Sequence, residues 1–183
     1  MIKNKYTIIG NTVIFHIIRR NGDKYNVLID LEDLTKIDKI GYKIHVGWHR
    51  SAFGFYAEIM QYLGMINGKP KYKTLVLHRL IMDEHNANNK IDHIDHNPLN
   101  NKKNNLRVTT QKENLKHRSG LNKNNKSGYR NVSWCNESQD WIVQLQDQNG
   151  KNHKWKHFED VHEAGKFAKK MREEWYGEFA GRG

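Results

Sequence analysis

Cysteine is almost missing from this chain of 183 residues, and the single one, Cys135, excludes an intrachain disulfide and any zinc site built on several thiolates. Long apolar runs are missing too. No stretch of about 20 apolar residues could cross a bilayer and no signal-peptide pattern precedes the first strand-like segment, so no membrane partner is expected. Hydrophobic residues make up 37% of the chain, little for one large core, and small modules arranged around a functional surface are the better expectation. No heptad seam or long apolar helix calls for dimerisation, and a monomer is expected.

What is abundant is positive charge. The formal net charge is +11, which points to a polyanionic partner such as nucleic acid. The excess is local: residues 71–126 hold 12 Lys and Arg against 5 Asp and Glu, whereas residues 127–183 hold nine of each.

The segment from Asp92 to Asn114 carries the clearest chemistry. Asp92 is a hard oxygen ligand suited to Mg2+, and His93 beside it is the side chain whose ordinary pKa, about 6.5, lets it take a proton near neutrality. Neighbours on an extended strand point to opposite faces, so the strand must end or bend near residues 91–94 for both to reach one phosphate. The run His96-Asn97-Pro98-Leu99-Asn100-Asn101 supplies that break. Leu106 to Thr109 predicts a short second strand. Thr109 or Thr110 can cap a helix over residues 111–118, with Glu113 placed as the capping-box partner of Thr110, and Asn114 lies about one turn inside it. The order is strand, loop, strand, helix.

Asn105 follows His93 by twelve residues and Asn114 follows Asn105 by nine. With His78-Arg79 upstream and Asn100-Asn101 between, this resembles the active-site segment of HNH endonucleases, in the subclass whose last motif position is Asn. The resemblance implies a ββα-metal fold, with His93 as general base and one Mg2+ or Mn2+ ion, and no structural zinc, on Asp92 and Asn114. It implies that Asn105 fixes the loop and orients His93, and that the products are a 5′ phosphate and a 3′ hydroxyl. Arg79 and Arg107 are candidate phosphate contacts, with a surface ion pair as the alternative for Arg107, while His78, bounded by Leu77 and Leu80, reads as a semi-core residue that packs and hydrogen-bonds beneath the catalytic loop. His117, three residues beyond Asn114, could meet DNA or the metal. His96 stands where this family often has Gly.

Residues 121–127 are polar and aperiodic and predict a linker whose Lys123 and Lys126 could track a phosphate backbone. Beyond it, Ser127-Gly128-Tyr129-Arg130-Asn131-Val132-Ser133-Trp134, Trp141 to Leu145 and the final Tyr176-Gly177-Glu178-Phe179-Ala180 resemble an AP2/ERF DNA-binding domain of the kind appended to phage HNH homing endonucleases. The likeness covers about residues 126–180, and Asn131 departs from it where Gly is usual. Val161, Ala164, Ala168, Met171 and Trp175 recur at spacings of 3 and 4, which predicts a helix with one apolar stripe over a three-stranded sheet. Gln144, Gln146, Lys154 and Lys156 would then face outward to read a major groove, with Arg130 as a further DNA contact.

The expected fold class is α+β: a β-rich N-terminal lobe over 1–70, an HNH unit over 71–120, a linker over 121–127 and an AP2-like module over 128–183. In the N-terminal third, residues 6–18 read as a strand, Asn21-Gly22-Asp23 as a hairpin turn, and residues 24–29 as its return. Residues 44–48 and 53–59 read as another hairpin, residues 73–77 as a strand, and nothing there carries obvious catalytic chemistry. The expected function is sequence-specific, metal-dependent cleavage of double-stranded DNA, one strand per site, in the cytoplasm of a bacterial host if the gene is a phage's. The rivals are a non-catalytic DNA-binding regulator and a restriction-type HNH nuclease.

Overall fold

The computed structural model describes residues 2–50, 52–118 and 120–182, with Lys156 described by its backbone alone. The class is α+β, dominated by small antiparallel sheets, and the chain divides into two compact units, Met1–Thr109 and Thr110–Gly183.

In the first unit, β1 (Tyr6–Ile9), β2 (Thr12–Ile18) and β3 (Lys24–Asp30) form an antiparallel meander. The run 6–18, expected as one strand, is two, because Gly10 takes a left-handed φ of 56° and turns the chain back. Alternation along β2 buries Val13, Phe15 and Ile17, and β3 adds Val27 and Ile29 on the same face. A 3-10 turn over Leu31–Asp33 leads into α1 (Leu34–Ile40), which Gly41 ends at φ 70°. A second sheet follows in the order β4 (Ile44–His49), β5 (Gly54–Ile66) and β6 (Lys69–Val76).

β5 outlasts β4: past Ile59 only β6 accompanies it, as an exposed two-stranded ribbon turned by Asn67 and Gly68, both at positive φ. The sequence pattern stops at residue 59 because burial, which produces the alternation, stops there. Then come α2 (Leu77–Ile81), β7 (Lys90–His93) and β8 (Leu106–Thr109), the last two forming a hairpin. One continuous core runs from Val13 through Ile37, Ile44 and Ile59 to Leu77, Ile81 and Leu106. The N-terminal strands and the β7–β8 hairpin therefore share their apolar interior.

In the second unit, α3 (Gln111–Lys116) starts with the expected capping box between Thr110 and Glu113. A sheet in the order β9 (Val132–Cys135), β10 (Asp140–Gln146) and β11 (Asn152–Phe158) is covered by α4 (Val161–Tyr176). The helix stripe is the expected one: Ala164 and Ala168 are wholly buried against Val143 and Leu145, with Val161, Met171 and Trp175 packed around them. Asp160 caps α4 by accepting from the amides of His162 and Glu163. Gly165 leaves room for the Tyr129 ring, since a Cβ there would stand 2.4 Å from Tyr129 Cδ1. Asn131 sits at φ 68°, in the left-handed region that Asn tolerates better than most residues.

Candidate active site

Asp92 and His93 close β7, paired across the hairpin with Arg107 and Leu106, and both are buried, at 8% and 5% exposure. The strand ends at His93, whose carbonyl accepts from His96 N at 2.9 Å. His96 takes φ 61°, in the left-handed region that Gly adopts more readily than other residues. Asp92 Oδ2 accepts from Arg107 Nε at 2.9 Å and Nη2 at 2.8 Å. Of the two alternatives for Arg107, the structure shows the ion pair, partly sheltered rather than on the open surface.

Asn105 fastens the loop between the strands. Its Oδ1 accepts from Asp95 N at 3.0 Å, and its Nδ2 donates to Asp95 Oδ1 at 2.9 Å and Asn100 O at 2.8 Å. Burial works to raise the Asp95 carboxyl, but hydrogen bonds from Asn100, Asn97 and Asn105 outweigh it and hold it below the usual carboxylate range. The same loop is bound to β3: Leu28 N donates to Leu99 O at 2.9 Å, Asn101 N donates to Leu28 O at 2.8 Å, and Lys103 N donates to Asp30 at 2.7 Å. The N-terminal strands therefore serve as a buttress for the loop behind His93.

Burial pushes the His93 imidazole below its ordinary pKa, against the opposing pull of Asn101, Asp95 and Asp92, so the ring is neutral at neutral pH. Its Nε2 makes no hydrogen bond with the described residues. Rings surround it. His78 lies 5.1 Å away and Tyr56 6.0 Å away, centroid to centroid, and His49 stands 5.0 Å from Tyr56 with its Nε2 2.9 Å from Glu58. Burial and the Asp92 charge raise the Tyr56 phenol. Tyr56, His49 and Glu58 come from the β4–β5 hairpin, where the sequence showed no catalytic chemistry. The β4–β5 pairing brings Tyr56, and with it His49 and Glu58, to the His93 end of β7, and no local motif signals that.

Three of the candidate DNA contacts are engaged within the chain. The Arg79 guanidinium donates to Asn89 O at 3.0 Å and Asn86 O at 2.7 Å, supporting the loop before β7. His117 is 5% exposed and packs edge-on against Phe179, because it ends α3 on the inner side. Arg130 is 4% exposed, with its guanidinium on backbone carbonyls. The others face outward: Lys123, Lys126, Gln144, Gln146 and Lys154 are exposed, although the Gln146 amide donates to Gly150 O. Lys126 and Gln144 line one cleft of about 540 Å³ with Arg118, Trp134 and Trp141. The Lys156 side chain lies outside the described residues.

Among the described residues no three His, Cys, Asp or Glu side chains gather as a metal cluster. The candidate ligands are one carboxylate, Asp92 in the first unit, and one carboxamide, Asn114 on α3 in the second. Each offers an oxygen donor of the kind Mg2+ takes alongside several waters and substrate phosphate.

No protein-family model matches the chain, and no solved structure matches it. It is 37% identical over 90 residues to an Acanthamoeba polyphaga mimivirus protein named as an uncharacterized HNH endonuclease, a match covering 49% of this chain and 44% of the viral one. It is also 37% identical over 90 residues to Protein 3.8 of Escherichia phage T7, covering 72% of that protein. The chain spans less than half of the mimivirus relative's length. By its coverage of Protein 3.8 the chain belongs to one family with that phage protein, and the mimivirus relative supports an HNH nuclease as the identity at family level.

Proposed function

We propose that the protein is a metal-dependent HNH endonuclease that cuts double-stranded DNA, one strand per site, with the AP2/ERF-like module helping to select the sequence, as in a homing endonuclease. The observation that carries this is His93, buried, neutral and uncommitted at Nε2, on a strand end that Asn105 and β3 hold in place. His93 takes a proton from a water, whose oxygen attacks the phosphorus in line with the bond to the 3′ oxygen. The new P–O bond leaves a 5′ phosphate as the P–O3′ bond breaks, and the departing oxygen takes a proton from solvent water to become a 3′ hydroxyl. Asp92 and Asn114 would hold the Mg2+ or Mn2+ ion, which when bound neutralises charge on the phosphate and the leaving oxygen. Asn105 keeps the loop, and with it His93, from shifting. The exposed Lys123, Lys126, Gln144 and Lys154 support a duplex partner, and one active site per monomer supports nicking.

One observation favours a regulator instead: Arg107 neutralises the Asp92 oxygen that a cation would need. Mapping all new ends in a random-sequence DNA library and in genomic DNA separates the two. With Mg2+ the protein should produce ends clustered at one sequence on one strand, and EDTA or His93→Ala should remove them while binding persists. Sequence-specific binding without new ends in Mg2+ or Mn2+ establishes the regulator, and cleavage undamaged by His93→Ala overturns the mechanism.

A further inference from the structure

Asn114 stands on a helix of six residues, none of them buried, which is too short to hold itself together in water. Its hold comes from Arg130. That guanidinium sends Nη2 to Lys116 O at 3.0 Å and Nη1 to Arg118 O at 2.7 Å, and Nη1 also reaches Ala180 O at 3.3 Å and Arg182 O at 3.2 Å. The carbonyls at the end of a helix lack intrahelical partners and carry partial negative charge, so a buried guanidinium both satisfies and attracts them. The backbone of Arg130 is itself held, because its carbonyl accepts from Arg172 Nη1 of α4 at 3.2 Å.

Three further contacts bind α3 to the same module. His117 packs on Phe179, Lys116 Nζ lies 4.3 Å from the Tyr176 ring centre, and Lys112 Nζ donates to Gln148 O at 2.6 Å. Gly181, at φ 67°, lets the C-terminal segment pass close by: a Cβ there would stand 2.4 Å from Arg130 Nη1 and 2.6 Å from Arg118 O. Burial and the neighbouring Arg172 lower Arg130 to about 10, so the fold accepts an electrostatic penalty to keep a cation at this place.

We propose that Arg130 is a positioning residue for Asn114, tying the helix that bears this ligand to the three-stranded module so that the module sets cation affinity as well as DNA contact. This rests on the reading of Asn114 as a cation ligand. The module is then more than a detachable address: without residues 127–183, α3 loses the guanidinium at its C-terminal end and the ring under His117.

The test is Mn2+ binding to the full chain without DNA, followed by electron paramagnetic resonance, for the wild type, Asn114→Ala, Arg130→Gln and Phe179→Ala. Circular dichroism checks that each is folded. Asn114→Ala should weaken Mn2+ binding, and Arg130→Gln and Phe179→Ala should weaken it in the same direction, by about 10-fold or more, as loss of groups that orient a ligand does. Cleavage by these two variants should recover with added Mg2+, and duplex binding in EDTA should stay within about threefold of wild type, far inside the loss expected for the metal. Folded Arg130→Gln and Phe179→Ala with wild-type Mn2+ affinity, beside an impaired Asn114→Ala, overturn the proposal and leave the metal reading standing. Wild-type affinity in Asn114→Ala overturns both. If Arg130→Gln does not fold, Phe179→Ala decides, since Phe179 is only partly buried.

Discussion

His78 shows how much of the site is fixed by single buried residues outside the segment from Asp92 to Asn114. Burial first, then the neighbouring His93, Arg79 and His49, push its imidazole down to about 3. The unfolded chain takes up a proton at His78 below about pH 6.5 while the folded one resists it. Stability from this residue is therefore fully present above 6.5 and is lost as the pH falls from there towards 3. Full protonation of the unfolded side chain would cost the fold on the order of 5 kcal/mol. Urea titrations at pH 7, 5 and 4 should show a shallower acid decline for His78→Leu than for the wild type. Equal slopes would mean that His78 is not held neutral by its surroundings. From the sequence, His78 was legible as a semi-core residue because Leu77 and Leu80 flank it, whereas Tyr56 and His49 were not. Their place beside His93 depends on long-range sheet register, which leaves no trace in the residues nearby. The contacts of Arg79, Arg130 and His117 within the chain were not legible either, since a polar side chain that supports loop carbonyls or closes a helix end has the same composition as one that faces DNA.

At the scale of elements, legibility followed burial. β2, β3, β10 and α4 bury one face, and their period of 2 or 3.6 was readable. The outer half of β5–β6 buries neither face and could not be read, and the break between β1 and β2 rests on one glycine conformation. The contact between α4 and the loop before β9 has a sharper dependence on a single position. Tyr129 lies against the helix backbone where Gly165 has no side chain, and its hydroxyl pairs with His162 Nδ1 at 2.7 Å. Gly to Ala in mid-helix normally stabilises by about 1 kcal/mol. Here the added methyl would drive the ring away, and overpacking of this kind costs about 1–3 kcal/mol. Gly165→Ala should therefore lower the melting temperature, and Gly165→Ala with Tyr129→Ala should recover part of the loss. A single Gly165→Ala at least as stable as wild type would show that the ring relocates freely.

For the whole molecule, the distribution of charge decides what can be asked of DNA binding. The C-terminal residues 127–183 are balanced, so their outward Gln144 and Lys154 suit sequence discrimination better than bulk affinity. Bulk affinity needs uncompensated cations, which concentrate in residues 71–126. Lys123 and Lys126 belong to that group and are exposed. Each phosphate contact contributes about 0.9 to the slope of log affinity against log salt, through release of a condensed counterion. Replacing both lysines with Ala should reduce the slope on random-sequence duplex by about 1.8. Replacing the exposed Lys169 and Lys170 of α4 should leave it unchanged, because the acidic residues of their own segment compensate them. Filter binding between low and moderate salt, in EDTA to suppress cleavage, measures both. An unchanged slope for the Lys123 and Lys126 pair would remove the linker from the DNA path, and a slope reduced equally by the α4 pair would mean that net charge, not position, governs affinity.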